Sequence, residues 1–409
     1  MAARVLLVLA LGALYAQYSA LTTPGLHDAV SALVDAKTFP DSDTDESLLR
    51  TLHTGIEPLD RFLASIVVLR WPLSLSDRSD AALSPITISH AGWASAIWTL
   101  LLLEGYRGGN KGRIVAFPTL FALLGQFLPF AFVTCIYGAI HLWLGTSSAA
   151  YSLTKQDVKV PRAVLTVLPI VTLLGFAAPV VLSLVPASSQ FTLLALGPMT
   201  AWPLLASVAV SIVHAVSSWG KSGNSAPGFV NPAVGGTALR DLRYARLLRV
   251  VYEVSFLVPA VTYAVGLVLP LMAFVAPGFI SSSLAFLQHQ SLGPAHVTGA
   301  FGAIQWYLAI DCILSSPGVL LWAGFVHRQM NVTESTSYWK LGSLVVFAGP
   351  VAAAVWMVWE RDCVALGLNG RSGLSVSFDS DNKGKTRPRG GSGMGIGKWE
   401  RGGKVLVLP

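Results

Sequence analysis

Two carboxylates stand in runs of the chain that otherwise avoid charge. Glu104 follows Ile97-Trp98-Thr99-Leu100-Leu101-Leu102-Leu103 and opens Glu104-Gly105-Tyr106-Arg107-Gly108-Gly109-Asn110. Asp311 lies between Ile304-Gln305-Trp306-Tyr307-Leu308-Ala309-Ile310 and Cys312-Ile313-Leu314-Ser315-Ser316-Pro317. An ionisable group deep in an apolar helix costs about 2.5 kcal/mol or more unless it is neutral or paired. Burial keeps a carboxylic acid protonated at neutral pH, and a protonated acid donates a proton. Aromatic residues cluster with the acids: Trp98 on the Glu104 run, Trp306 and Tyr307 beside Asp311. Their faces suit a carbocation through cation–π attraction. Each acid also has a packing reading, Glu104 through Arg107 three residues on and Asp311 through a neighbouring helix. A third acid, Glu253, follows Arg249 at i,i+4 and reads as an interfacial ion pair.

The elements that must position these groups are membrane helices. The chain of 409 residues is 53% hydrophobic and 12% charged, against about 25% charged in soluble domains. The expected fold is all-α: a polytopic transmembrane helical bundle of about eight spans with a disordered C-terminal tail. Residues 1–20 are a signal peptide or a first span, since a short apolar run follows Arg4 and ends in Tyr18-Ser19-Ala20. Residues 21–85 form a polar, lumenal loop with a short interfacial segment at 62–69, and its acids at 41–46 read as solvated and not as a metal site. Residues 86–360 form the catalytic bundle, with spans at about 86–105, 115–144, 163–185, 192–217, 248–275, 299–326 and 340–359. Prolines such as Pro129, Pro317 and Pro350 read as kinks within them. From Arg361 the chain is basic and glycine-rich, the tail of residues 361–409. The net charge of +7 suits anionic lipid and topology control, not nucleic acid. Asn331-Val332-Thr333 is a glycosylation sequon that suits the lumen.

Several classes of chemistry lack their signatures. The three cysteines have no metal-ligand spacing, the histidines fall near different span ends, and no phosphate loop, nucleophile elbow or aspartate-rich diphosphate motif is present. No metal site is expected.

The segment Gly55-Ile56-Glu57-Pro58-Leu59-Asp60, Trp98 with the Glu104–Asn110 motif, Gln126 and Tyr137 on the next span, and the late Asp311 together resemble fungal integral-membrane terpene cyclases of meroterpenoid biosynthesis, of the ascochlorin/ascofuranone and macrophorin type. The resemblance covers most of residues 50–360. It implies a metal-free, cofactor-free, proton-initiated cyclisation of an (epoxy)farnesyl chain on an aromatic substrate in the endoplasmic-reticulum membrane. Carried over by position, Glu104 is the leading proton donor and Asp311 its partner as second acid or terminating base. Arg107, Trp98, Trp306 and Tyr307 line the substrate and cation pocket. A polytopic proton-coupled transporter or lipid-handling protein, with the two acids as a relay, is the competing reading.

Overall fold

A computed structural model describes residues 1–22, 85–146, 154–184, 201–222, 234–275, 299–328 and 338–368, with short pieces between 31 and 65. Every regular element among them is helical: α1 (Ala2–Thr22), α2 (Pro85–Gly105), α3 (Pro118–Phe127), α4 (Phe130–Thr146), the one-turn α5 (Lys155–Val158), α6 (Arg162–Leu184), α7 (Trp202–Ser222), α8 (Val234–Val275), α9 (Gly299–Arg328), α10 (Tyr338–Ala348) and α11 (Pro350–Leu366). Residues 369–409 and the sequon at Asn331 lie outside the described residues. Among the described residues, four stretches are long and apolar enough to cross a bilayer: Ala2–Ser19, Trp202–Trp219, Leu242–Leu267 and Tyr307–Arg328. The protein is a membrane protein built on these helices.

The most enclosed element is α2, whose residues Leu100, Leu101, Leu102 and Leu103 are fully buried. A helix that is apolar on all sides belongs in the middle of a bundle, and α2 packs on α6, α8, α9 and α11. The buried hydroxyls of Ser95 and Thr99 are satisfied within the helix. Ser95 donates to the Gly92 carbonyl, and Thr99 donates to that of Ser95 and meets Thr172 of α6 at 2.5 Å.

Pairwise contacts fix helix directions. Along α2 and α4, Trp98 lies by Phe130, Leu101 by Tyr137 and Glu104 by His141, so the two run parallel. Asp311 meets Ala131 and Trp322 meets His141, so α9 runs parallel to α4. In α8 the order reverses: Thr262 lies by Ser89, and Tyr252 by Arg107. The N-terminal helix is part of the same unit. Its stripe Leu6, Ala10 and Ala13 is fully buried where α1 packs on α4 and α9.

Two expected single spans are each a pair of helices. Phe121 of α3 packs on Tyr137 of α4 at 4.9 Å, at matching distances on either side of Leu128-Pro129. The chain therefore reverses there, with Leu128 extended as a residue before proline must be. Lys340 of α10 lies 4.4 Å over the ring of Trp356 of α11, and the reversal falls at Gly349-Pro350. Gly349 has φ 88°, open to glycine at no steric cost, and a Cβ there would strike the Tyr263 ring. The two prolines that read as kinks are hairpin tips. Both tips meet α9 near Asp311: the Ala131 amide donates to Asp311, and Gly349 and Pro350 share a cleft with Cys312, Ile313 and Ser316.

Two boundaries are corrected. The residues just before 248, expected to precede the span, belong to α8, which starts at Val234. The C-terminal helix continues past residue 360 to Leu366, where Gly367 ends it in the left-handed conformation at φ 72°. Arg361 and Asp362 are thus helical and buried, and do not belong to a tail.

Candidate active site

Glu104 ends α2 and faces the interior, 1% exposed. The chain turns sharply after it because Gly108 and Gly109 let the backbone of α5 approach. A Cβ at Gly108 would overlap the Gln156 carbonyl, and the Gly108 amide donates to the Lys159 carbonyl at 3.0 Å. Asn110 closes the turn by donating to the Glu104 backbone carbonyl at 2.7 Å. The short motif is therefore a device for ending α2 so that Glu104 and Arg107 point inward together.

Two arginines take the Glu104 carboxylate. Arg361 of α11 donates to Oε1 at 2.7 Å. Arg107 Nε lies 2.9 Å from the same oxygen but off the line of its N–H, so that contact is ionic without being a hydrogen bond. Arg107 also donates to Asp362 at 2.7 Å, to the Tyr252 hydroxyl at 3.1 Å and to the Val158 carbonyl at 2.9 Å. Asp362 further accepts from Tyr252 at 2.5 Å and from Arg361 at 2.9 and 3.0 Å. Two carboxylates and two guanidiniums, all nearly or wholly buried, cancel in charge, the condition under which buried ions persist. Burial opposes the Arg107 charge, yet Asp362 and Glu104 outweigh it and hold the guanidinium above its ordinary range.

This corrects the expectation of a neutral, protonated Glu104. Its ground state is an ion-paired carboxylate. On its other side His141 Nε2 lies 3.4 Å from Oε2. The Trp322 indole, a donor only, donates to His141 Nδ1 at 3.3 Å. A neutral His141 that accepts this bond carries its proton on Nε2, the nitrogen that faces Glu104 and lies 3.4 Å from the Asn110 amide nitrogen. Tyr137 stacks on the imidazole at 6.2 Å and Trp322 meets it edge-on at 5.8 Å.

Asp311 belongs to a different level of the bundle. Its Oδ1 accepts the Ala131 amide at 2.7 Å, satisfying a first-turn donor of α4 from across the interface. Glu104 meets α4 at His141 and Asp311 meets it at Ala131, ten residues earlier. At 1.5 Å per residue the two contact points are about 15 Å apart. The acids do not form a dyad: Tyr137 lies between the two levels on α4, and Trp98 packs near the Asp311 level. Trp98 is buried with its ring 6.5 Å from Phe130 and its indole donating to Ser207 at 3.2 Å. Tyr137 follows one level on.

Tyr307 lies one turn before Asp311 on α9. Trp306 is on the same helix, but its side chain lies outside the described residues. Glu253 pairs with Arg249 at 2.6 Å on the exposed side of α8, as its spacing predicts. Sequence reasoning missed His141, Tyr252, Arg361 and Asp362. The available signal was the apolar run of α11 continuing in register through Glu360-Arg361-Asp362 to a capping glycine.

Residues 1–366 match the CtvD domain family. The chain is 26% identical to terpene cyclase ctvD of Aspergillus terreus over 74% of its own length and 83% of the relative's. It is 25% identical to terpene cyclase ascI of Acremonium egyptiacum, over 78% and 81%. With terpene cyclase penA of Penicillium crustosum it shares 24% over 87% and 94%. No solved structure matches the chain. The chain belongs to the CtvD-domain family of terpene cyclases.

Proposed function

We propose that the protein, in the endoplasmic-reticulum membrane, cyclises the (epoxy)farnesyl chain of a prenylated aromatic meroterpenoid, of the ascochlorin/ascofuranone type, by proton-initiated chemistry. The observation that carries this reading is the pair of buried acidic sites at opposite ends of the α4–α9 interface, with the Tyr137 ring between them and Trp98 near the Asp311 end. Their separation suits the two ends of an extended farnesyl chain. A water-poor helical interior admits such a chain from the lipid and protects a cation from quenching.

Asp311 is the proton donor in this scheme. Glu104, already bound by two arginines, is a poor one, so the order of roles expected from the resemblance is reversed. The Asp311 proton passes to the epoxide oxygen, whose bond to the tertiary carbon breaks. The electron pair of an internal double bond forms the ring bond. Trp98 and neighbouring rings face the migrating charge. A proton on the carbon beside the final cation passes to the Glu104–His141 pair, and exchange with solvent restores Asp311. Substrate and product are isomers, and the balance requires no oxidant or reductant. Arg107 and Arg361 hold Glu104 as the anion that balances the late cation.

Microsomes containing the protein, given an epoxyfarnesyl phenol, are expected to form a cyclised product of unchanged mass with EDTA present. Loss of the product with EDTA would overturn the metal-free scheme. Asp311→Asn and Glu104→Gln are each expected to lower turnover by about 100-fold or more. Full turnover in either variant would remove that residue from the mechanism.

A further inference from the structure

Resting on the reading of the protein as a prenyl-chain cyclase, we infer that the cleft at the α10–α11 hairpin tip is the seat of the terminal isoprene unit, the end of the substrate that is protonated. The cleft holds about 200 Å³ and is lined by Trp93, Thr262, Tyr263, Cys312, Ser316 and Ala352, among others. Its size bounds its occupant. A 150 Å³ apolar cavity takes benzene, whereas pockets for whole drug-sized ligands begin near 300 Å³. This cleft therefore accepts one end of a long chain and not the whole of it.

The wall chemistry selects hydrocarbon. Ser89 donates to the Thr262 carbonyl at 3.1 Å, and Thr262 donates to the Pro259 carbonyl at 3.1 Å, so both hydroxyls are engaged with backbone. The Cys312 thiol lies 3.5 Å from His90 Nδ1. The rest of the wall is mainly apolar, with Ser316 and the Tyr263 hydroxyl its remaining polar groups, and the rings of Trp93 and Tyr263 favour a tertiary cation as it forms. Ile313 is part of the wall and 60% exposed, which opens the cleft on the apolar outer side of α9. A lipid-dissolved chain enters there without crossing water.

Position supplies the last step. Cys312 is the residue after Asp311, and the α11 tip (Gly349, Pro350, Val351) closes the far wall. The α4 tip engages Asp311 itself. Asp311 itself faces Ala131 of α4, one helical position round from Cys312, so the reacting terminus sits beside the Asp311 level and the aromatic head points toward the Glu104 level.

The test is photolabelling of the full-length protein in nanodiscs with a farnesyl phenol carrying a diazirine on its terminal isoprene unit. Adducts are expected within 312–316 and 348–352, and a diazirine on the aryl ring is expected to mark other peptides. Terminal-unit adducts confined to other segments, in a preparation that still forms the cyclised isomer, would overturn the inference. Adducts in the cleft without any cyclised product would leave the seat standing and sink the cyclase reading instead. Ala352→Phe, which fills the cleft, is expected to raise KM about tenfold, while Gly342→Ala, where a Cβ meets open space, leaves it unchanged. An unchanged KM in folded Ala352→Phe protein also counts against the seat, and if that variant does not fold the labelling result decides alone.

Discussion

Asp362 accepts from Arg107, Arg361 and Tyr252 at once, and no water-exposed surface remains on it. Neutralising it leaves two buried guanidiniums facing one carboxylate. Breaking a buried pair in this way costs about 3–5 kcal/mol, more than the pair itself contributes. Asp362→Asn is therefore expected to lower the thermal unfolding midpoint in detergent markedly. The double variant Asp362→Asn/Arg107→Gln should recover part of the loss, because it restores charge balance with Glu104 and Arg361. Equal destabilisation in the single and double variants would show that the four groups are not coupled as a network. The sequence made Glu104, Arg107 and Asp311 visible because each sits in or beside an apolar run. It could not show Asp362, whose meaning depends on a partner 255 residues away. Burial of a charge next to an opposite charge is a tertiary fact, and local spacing carries no trace of it.

At the scale of elements, the helical class and most helix positions follow from apolar length alone, but the reversals do not. Leu128-Pro129 and Gly349-Pro350 interrupt apolar runs in the way a kink does, and a proline that bends a helix has the same composition as one that ends it. The contacts decide. Neither α3 nor α10, at 10 and 11 residues, reaches across the roughly 30 Å hydrocarbon core. Each dips into the bundle and returns through the following helix. The two ends of the α10–α11 hairpin are accordingly expected on one side of the membrane, whereas a through-span would separate them. Single cysteines at Tyr338 and Gly367, in a background with the three native cysteines replaced, are expected to react with an impermeant maleimide from the same face of sealed microsomes. Labelling from opposite faces would restore the single span and dissolve the hairpin tip that closes the cleft.

Across the whole helical unit, Met1–Leu368, the parallel register of α2, α4 and α9 sets one functional length. Glu104 and Trp322 meet His141 at one level, and Asp311 meets Ala131 at the other. The fully buried stripe of α1 and the Gly318–Cys135 contact lock that register, since a Cβ at Gly318 would come within 2.5 Å of the Cys135 sulfur. In the proposed scheme, sites held about 15 Å apart measure the substrate. A farnesyl chain bridges them; a geranyl chain, one isoprene unit shorter, leaves either the terminus short of Asp311 or the aryl head short of Glu104. Binding energy from the remote head is then no longer available to hold the reacting end in place, and such losses appear in kcat as well as KM. Geranyl and farnesyl phenol epoxides compared under saturating conditions are expected to differ in kcat by about 10-fold or more. If only KM changes, the two levels act independently and the spacing has no catalytic meaning. If kcat falls with chain length, and lengthening the chain by one unit lowers it again, the separation of the two acids is the ruler by which this bundle selects its substrate.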